Sequence, residues 1–386
     1  MVTGVYALNP ETMGIYRNFH YLCHPNLFIS IIMKIIVFLV FSVLLLSCSE
    51  KSEEQSFASL PSVPICGELL EEDLITTTAC EINVVGSSIF VVDFNSPDTI
   101  VSILDEKTGK VIGRFGTKGG GPGEFKFLNF IGQSLDSDTV YIADFPSKVY
   151  EYVWDDRGKL DLVKENKIYL EKKAMLFPMR LHRLENGYYV MNTLSGGQDF
   201  FILLNRDCRE VKRFGVHPIK GMTADVCDFI PFDGRMTSCK NAFYYVTSKY
   251  GYIARYDVLD NGETTLVWEK LLSEPQATIS EANIQMRSSV NLDGFYGVAA
   301  NENYVFATYS GIYFKAFVDQ KDPSACTPKT LVVFDAKDGS IVGKYQLPNK
   351  SLGVSLSEDN EKLYVFNTHP EVAIEKFKVE DILNAK

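Results

Sequence analysis

The feature that most constrains this chain is an internal repeat. Six short apolar strands, each closed by a small polar residue, recur along it: Ser88 to Asp93 (SIFVVD), Thr139 to Asp144 (TVYIAD), Gly187 to Asn192 (GYYVMN), Ala242 to Thr247 (AFYYVT), Asn303 to Thr308 (NYVFAT) and Lys362 to Asn367 (KLYVFN). The closing residues Asp93, Asp144, Asn192, Thr247, Thr308 and Asn367 are spaced by 51, 48, 55, 61 and 59 residues. A second strand follows each anchor, as in IVSILDE or LVVFDAKD, and most units continue into a turn such as KTG, DRG, DNG or KDG. Glycine at that point supplies the positive φ that a tight hairpin needs. A third strand such as KVIGRFG or TTLVWEK then closes the unit, and a milder strand such as EINVVG or SLGVSL precedes each anchor.

Four antiparallel strands repeated six times, with a period of about 50 residues, are the signature of an all-β six-bladed β-propeller. The hierarchical period argues against a sandwich or an up-and-down barrel, in which strands recur singly. After IEKFKVED no strong strand remains, so the sixth unit lacks its outer strand. The segment Glu68 to Thr77 (ELLEEDLITT) lies ahead of the first inner strand and has no unit of its own. It is expected to close the ring by supplying that strand, which also protects two sheet edges. Ser280 to Val290 (SEANIQMRSSV) reads as a short helix in an insertion.

Ahead of the repeats the sequence gives an address. Lys34 to Ser47 is a basic residue followed by a short apolar run, closed by LLSC at Leu45 to Cys48. That is a secretory signal pattern, too short for a spanning helix. LLSC resembles the lipobox of bacterial lipoproteins, in which Cys48 is lipidated and heads the mature chain. Residues 1–32 then read as an upstream mis-start, 33–47 as the signal peptide, 48–65 as a lipidated flexible tether and 66–386 as the propeller. Ser49 after the cysteine fits outer-membrane delivery in the families this resembles, and the acidic SEKSEEQS resembles the surface-export signal of Bacteroidetes lipoproteins. The chain is therefore expected in the cell envelope, as an outer-membrane lipoprotein exposed at the surface.

Composition excludes one class of partner. The net charge is −11, whereas nucleic-acid binding needs clustered Lys and Arg. Beyond Cys48 six cysteines remain: Cys66, Cys80, Cys208, Cys227, Cys239 and Cys326. An envelope location permits disulfides, and sequence leaves their pairing open. Without a CxxC pair they read mostly as small buried hydrophobes.

Arg114 to Phe130 (RFGTKGGGPGEFKFLNF) followed by TVYIAD resembles the NHL-repeat signature. Over Cys66 to Lys386 the chain resembles the TolB-like six-bladed propeller lipoproteins of Bacteroidetes. That resemblance implies an extracytoplasmic binding or scaffold role. The GGGPG run leads into a strand rather than a helix, so it is not a phosphate cradle; its glycines let the backbone turn between blades.

Catalytic inventory is thin. GxSxG is absent, and the mature chain holds only His182, His217 and His369, in no metal-ligand spacing. Some NHL-like propellers hold a metal through three channel histidines, and these three form the alternative reading: a metal-dependent lyase or hydrolase in the channel. The principal expectation is a non-catalytic, monomeric binding propeller with no cofactor, held to a lipid bilayer by its acyl anchor and binding a protein, peptide or glycan. Its expected site is a funnel at the face where the anchor strands end. Arg180 and His182 alternate to one side of an inner strand there, with Asp144, Asp93, Asn192 and Asn367 on the rim and Tyr309 as an aromatic platform. Asp, Asn and Thr also end strands because they cap turns with their own side chains.

Overall fold

The computed structural model describes residues 57–386, apart from 71–75, 77–79, 122, 134–137, 146, 156, 172–179, 194–199, 220, 222–232, 281–282, 288, 322–325, 370–371 and 386. Two short N-terminal strands come first, β1 (Val63–Pro64) and β2 (Glu68–Leu69). Blade one follows with β3 (Cys80–Val85), β4 (Ser88–Asp93), β5 (Val101–Asp105) and β6 (Val111–Phe115). The join carries β7 (Thr117–Lys118) and β8 (Glu124–Phe125), paired in parallel. Blade two comprises β9 (Leu128–Gln133), β10 (Thr139–Asp144), β11 (Lys148–Trp154) and β12 (Leu160–Lys167). Blade three comprises β13 (Leu181–Arg183), β14 (Tyr189–Asn192), β15 (Phe201–Leu204) and β16 (Glu210–Phe214).

Blade four runs β17 (Gly234–Cys239), β18 (Ala242–Thr247), β19 (Tyr252–Val258) and β20 (Thr264–Leu271), and is followed by the hairpin β21 (Ala277–Ser280) and β22 (Asn283–Met286). Blade five holds β23 (Phe295–Ala300), β24 (Tyr304–Tyr309), helix α1 (Phe314–Gln320), β25 (Thr330–Asp335) and β26 (Ile341–Gln346). Blade six holds β27 (Lys350–Leu356), β28 (Lys362–His369) and β29 (Ala373–Lys378), followed by helix α2 (Val379–Asn384). Each blade pairs its neighbours antiparallel in chain order. The chain is a six-bladed propeller, as the repeat predicts. No helix among the described residues is long and apolar enough to cross a membrane.

The anchor strands are apolar up to their closing residues because a blade's second strand is covered on both sheet faces by its neighbours; β4 and β18 are buried at every position. Outer strands such as β12 face solvent and turn polar. Each of the six blade interfaces has its own apolar cluster: Phe90 with Tyr150, Tyr141 with Tyr189, Phe201 with Tyr256, Tyr244 with Phe334, Phe306 with Leu363, and Ile82 with Phe366. Polar pins cross the same interfaces. Lys362 and Tyr364 of blade six both donate to Glu106 Oε1 of blade one. Arg255 and Trp268 of blade four both donate to the Ala336 carbonyl of blade five, at 2.7 and 2.9 Å.

The hairpin turns take the expected geometry, with φ between 69° and 82° at Gly109, Gly158, Gly262 and Gly339. In blade three Cys208 occupies the same position at φ 56°.

Ring closure follows the expected route. Glu68 pairs with Lys376 and Leu69 with Glu375, antiparallel, so β2 supplies the fourth strand of blade six. Two expectations fail. The helix at 280–290 is replaced by the β21–β22 hairpin, because so few apolar residues in an eleven-residue stretch fit either period. The segment to residue 65 is also not all tether: β1 adds in parallel to β26, and Phe57 and Ile65 are buried. Residues 48–56, like 1–47, lie outside the described residues.

Candidate functional site

The six inner strands β3, β9, β13, β17, β23 and β27 surround a central channel with a cavity of about 420 Å³. All six run in the same direction, so their first residues share one mouth with the ends of the anchor strands. Glu81, Asn129, Arg180 and Arg235 line the cavity at this mouth, and Glu185, Lys240, Glu302 and Glu358 line it at the other end.

Arg180 is the hub. It immediately precedes β13, and its main-chain N–H donates to Asn192 Oδ1 at 2.8 Å, which fixes where the inner strand begins. Its guanidinium reaches three other blades. Nη1 donates to Glu81 Oε1 of blade one and to Asn129 Oδ1 of blade two at 3.3 Å, while Nε donates to the Gly234 carbonyl of blade four at 3.2 Å. Arg235 Nη1 donates to that same carbonyl at 3.0 Å and lies 3.5 Å from Asp233 Oδ1. Burial, then the neighbouring Arg235 charge, hold Arg180 below its ordinary value, against the opposing pull of Glu81 and Asp233.

His182 sits one alternation further in and faces blade four through the Met236 backbone, on the same side as Arg180. Burial pushes its pKa down to about 4, so the ring is neutral near pH 7. Its Nδ1 is buried without a hydrogen-bond partner. Arg183 turns to the other side, its guanidinium 4.1 Å from the centre of the Tyr141 ring.

A second polar cluster stands at the same mouth between blades four and five. Tyr296 donates to Asp293 Oδ2 at 2.7 Å, and Lys249 Nζ lies 3.6 Å from the same oxygen and 4.2 Å above the Phe314 ring of α1. Burial raises Asp293 although Lys249 and Tyr296 pull it down. Sequence reasoning missed this cluster and the cross-channel role of Glu81, since nothing local marks either.

Of the residues expected at the funnel, Arg180 and His182 line the cavity, and the anchor residues and Tyr309 do not. Asp144 is 7% exposed, and its Oδ1 accepts the N–H groups of Lys126 and Phe127 at 2.8 and 3.0 Å. Asp93 accepts the Asn95 N–H at 2.9 Å, Asn192 caps Arg180, Thr247 donates to the Tyr250 carbonyl at 2.6 Å, and Asn367 donates to Glu375 at 3.0 Å. Thr308 is buried as well. Asp144 and Asn192 thus bond into the joins, Asp93, Thr247 and Asn367 into the hairpins that follow their own strands, and Thr308 Oγ1 is buried without a hydrogen-bond partner; none of the six lines the cavity. Tyr309 is not a platform either, because at 4% exposure it is packed against Phe57 and Phe295.

His182 and His217 do not converge. His182 lines the channel, whereas His217 is buried against Phe200, with Nδ1 accepting the Ile219 N–H at 3.1 Å and Nε2 facing the Tyr250 hydroxyl at 3.3 Å. His369 ends β28, and its side chain lies outside the described residues. Among the described residues no group of three His, Cys, Asp or Glu side chains could hold a metal ion.

Residues 70–327 match the sequence family described as DUF5128, a 6-bladed beta-propeller. The chain belongs to that family. No curated protein matches it. Among solved structures, a Bacteroides fragilis protein described as exported aligns at 10% identity and a TM-score of 0.49, over 82% of this chain and 94% of that one. The β-propeller domain of Cps50 (Swd1) from Myceliophteria thermophila aligns at 10% identity and 0.46, over 81% and 99%.

Proposed function

We propose that this DUF5128 propeller is a non-catalytic binding protein of the cell envelope, of the TolB-like and NHL-like kind, whose ligand enters the channel at the Arg180 mouth. The observation that carries the reading is the convergence of four blades on one guanidinium that also lines an open cavity. Concave cavities with a few converging polar groups are where small ligands bind. Among the described residues the channel imidazole of His182 has no carboxylate hydrogen-bonded to its Nδ1, so it is not set up as the base of a catalytic pair. The anchor is lipidated Cys48, which ties the domain to a bilayer through one processed terminus.

Two experiments test the halves of this reading. Cys48→Ala should leave the chain unprocessed or release it from the membrane fraction; processed chain retained in the membrane refutes the anchor. For the site, full-length chain in detergent is titrated with envelope oligosaccharides and peptides by calorimetry, alongside Arg180→Gln and Arg235→Gln. Binding that both variants abolish, with melting curves still cooperative, supports the mouth as the site. Binding unchanged in both variants refutes it.

A further inference from the structure

Glu81 and Arg180 belong to blades that are not neighbours in the ring. Glu81 lies on β3 of blade one and Arg180 opens blade three, with Asn129 of blade two between them. Their ion pair therefore spans the channel mouth rather than pinning neighbouring blades, as Glu106 and Lys362 do. It is also incompletely formed by guanidinium standards. Glu81 engages one nitrogen, Nη1, which it shares with Asn129, and Nε is given to a main-chain carbonyl. A carboxylate bound at full strength takes two parallel N–H donors.

The charge along the channel is polarised. Three of the chain's eleven arginines, Arg180, Arg183 and Arg235, line the cavity, although the protein carries a net −11. Among the described residues at the mouth, Glu81 and Asp233 oppose Arg180 and Arg235, and Asp293 faces Lys249. Arg183 has a tyrosine ring in place of a carboxylate, and its Nε is buried without a partner. The far end is acidic, with Glu185, Glu302 and Glu358, and its Lys240 is already paired to Glu302 at 2.8 Å. An anion is thus repelled by the far end, which leaves the Arg180 mouth as its entrance.

Building on the binding role proposed above, we infer that the mouth recognises a carboxylate-bearing ligand, and that Glu81 is its intramolecular stand-in, displaced when the ligand binds. A ligand carboxylate would take the Arg180 nitrogen that Glu81 now holds, with Arg235 beside it, and Glu81 would rehydrate at the mouth. An occupied site lowers apparent affinity by the fraction of molecules in which Glu81 is away. Removing the Glu81 charge should therefore strengthen acidic ligands and leave neutral ones unchanged.

The experiment uses paired probes on full-length chain in detergent, followed by ligand-observed NMR. Glucuronate is compared with glucose, and N-acetyl-glycylglycine with its amide, so that a saccharide and a peptide source of the carboxylate are distinguished. The acidic member of at least one pair should bind about tenfold more tightly than its neutral twin. Glu81→Gln should tighten the acid by about tenfold, the change expected if Glu81 is away in about a tenth of molecules. Arg180→Gln, or Arg235→Gln should the first fail to melt cooperatively, should erase the preference. The inference falls if acid and neutral twins bind alike, if Glu81→Gln weakens the acid, or if no acidic probe binds either the wild type or Glu81→Gln. A neutral ligand bound equally by all the proteins leaves the binding role standing and removes only the carboxylate.

Discussion

The Phe57 ring stands edge-on to the Tyr309 ring, with centroids 5.3 Å apart and planes at 86°. This contact fastens the N-terminal segment to the interface of blades four and five, where Phe57 also lies under Lys344 Nζ at 4.7 Å. Phe57 is only 6% exposed, so Phe57→Ala should open a cavity and cost about 3 kcal/mol in denaturant unfolding. Phe57→Leu should recover most of it. A change within 0.5 kcal/mol for the alanine variant would mean that the segment is a tether after all.

Closure of the ring rests on one side of β2. Leu70 is buried among Ile82, Phe366 and Ile374, and its N–H donates to the Ile374 carbonyl at 2.9 Å, whereas Leu69 is 58% exposed. Leu70→Asp should bury an unpaired charge, detach the strand and leave the β29 edge free to pair with another chain. Leu69→Asp should be nearly silent. Light scattering during thermal melts distinguishes them, and equal behaviour of the two variants would contradict β2 as the closing strand.

Acid should weaken the fold through His182. The folded pKa of about 4 lies below the ordinary 6.5, so the unfolded chain binds the extra proton. Stability contributed by the neutral ring is full above 6.5 and is lost as the pH falls toward 4, by about 3 kcal/mol at most. Asp293, raised by burial, works in the opposite sense, gaining stability as it protonates. Comparing the wild type with His182→Gln cancels that contribution. The variant should show a shallower acid limb between pH 6.5 and 4 in urea unfolding. Parallel curves would show that His182 exchanges no proton on unfolding.

The architecture was legible because the propeller's period is written into every unit: SIFVVD and AFYYVT are buried at every position and apolar in between their ends, since each is sandwiched between two blades. The hairpin glycines and the orphan strand at Glu68 were legible for the same local reasons. The site was much less so. Asp144 and Asn192 have the same identities whether they face a ligand or cap a join, and only their burial and partners decide. Tyr309 reads as a rim residue until Phe57, remote in sequence, covers it. Glu81 sits in a milder strand with no motif, and its meaning arises only when the ring closes and brings blade three opposite it.

Thiol chemistry should separate the described cysteines. Cys66, Cys208, Cys239 and Cys326 are unpaired. Cys66 is exposed, whereas Cys208 is buried in the cluster between blades two and three, and burial pushes its pKa up to about 12. Since the thiolate is the nucleophile, iodoacetamide at pH 8 should label Cys66 within minutes and spare Cys208 until the chain unfolds. Peptide mass spectrometry reads both, and early labelling of Cys208 would contradict its placement.

Asp144 offers the sharpest separation of capping from ligand binding. Its Oδ1 receives two consecutive main-chain N–H groups, from Lys126 and Phe127, and so ends the glycine-rich join before β9 begins. An amide oxygen can accept both bonds, but it carries no charge to offer a cation or an arginine. Asp144→Asn should therefore fold nearly as well as the wild type and bind any channel ligand with unchanged affinity. Asp144→Ala leaves two donors unpaired beside the buried Phe125 and Leu128, and should cost about 1–3 kcal/mol in urea unfolding. If Asp144→Asn retains stability but loses ligand, the carboxylate acts in recognition and the capping assignment is wrong.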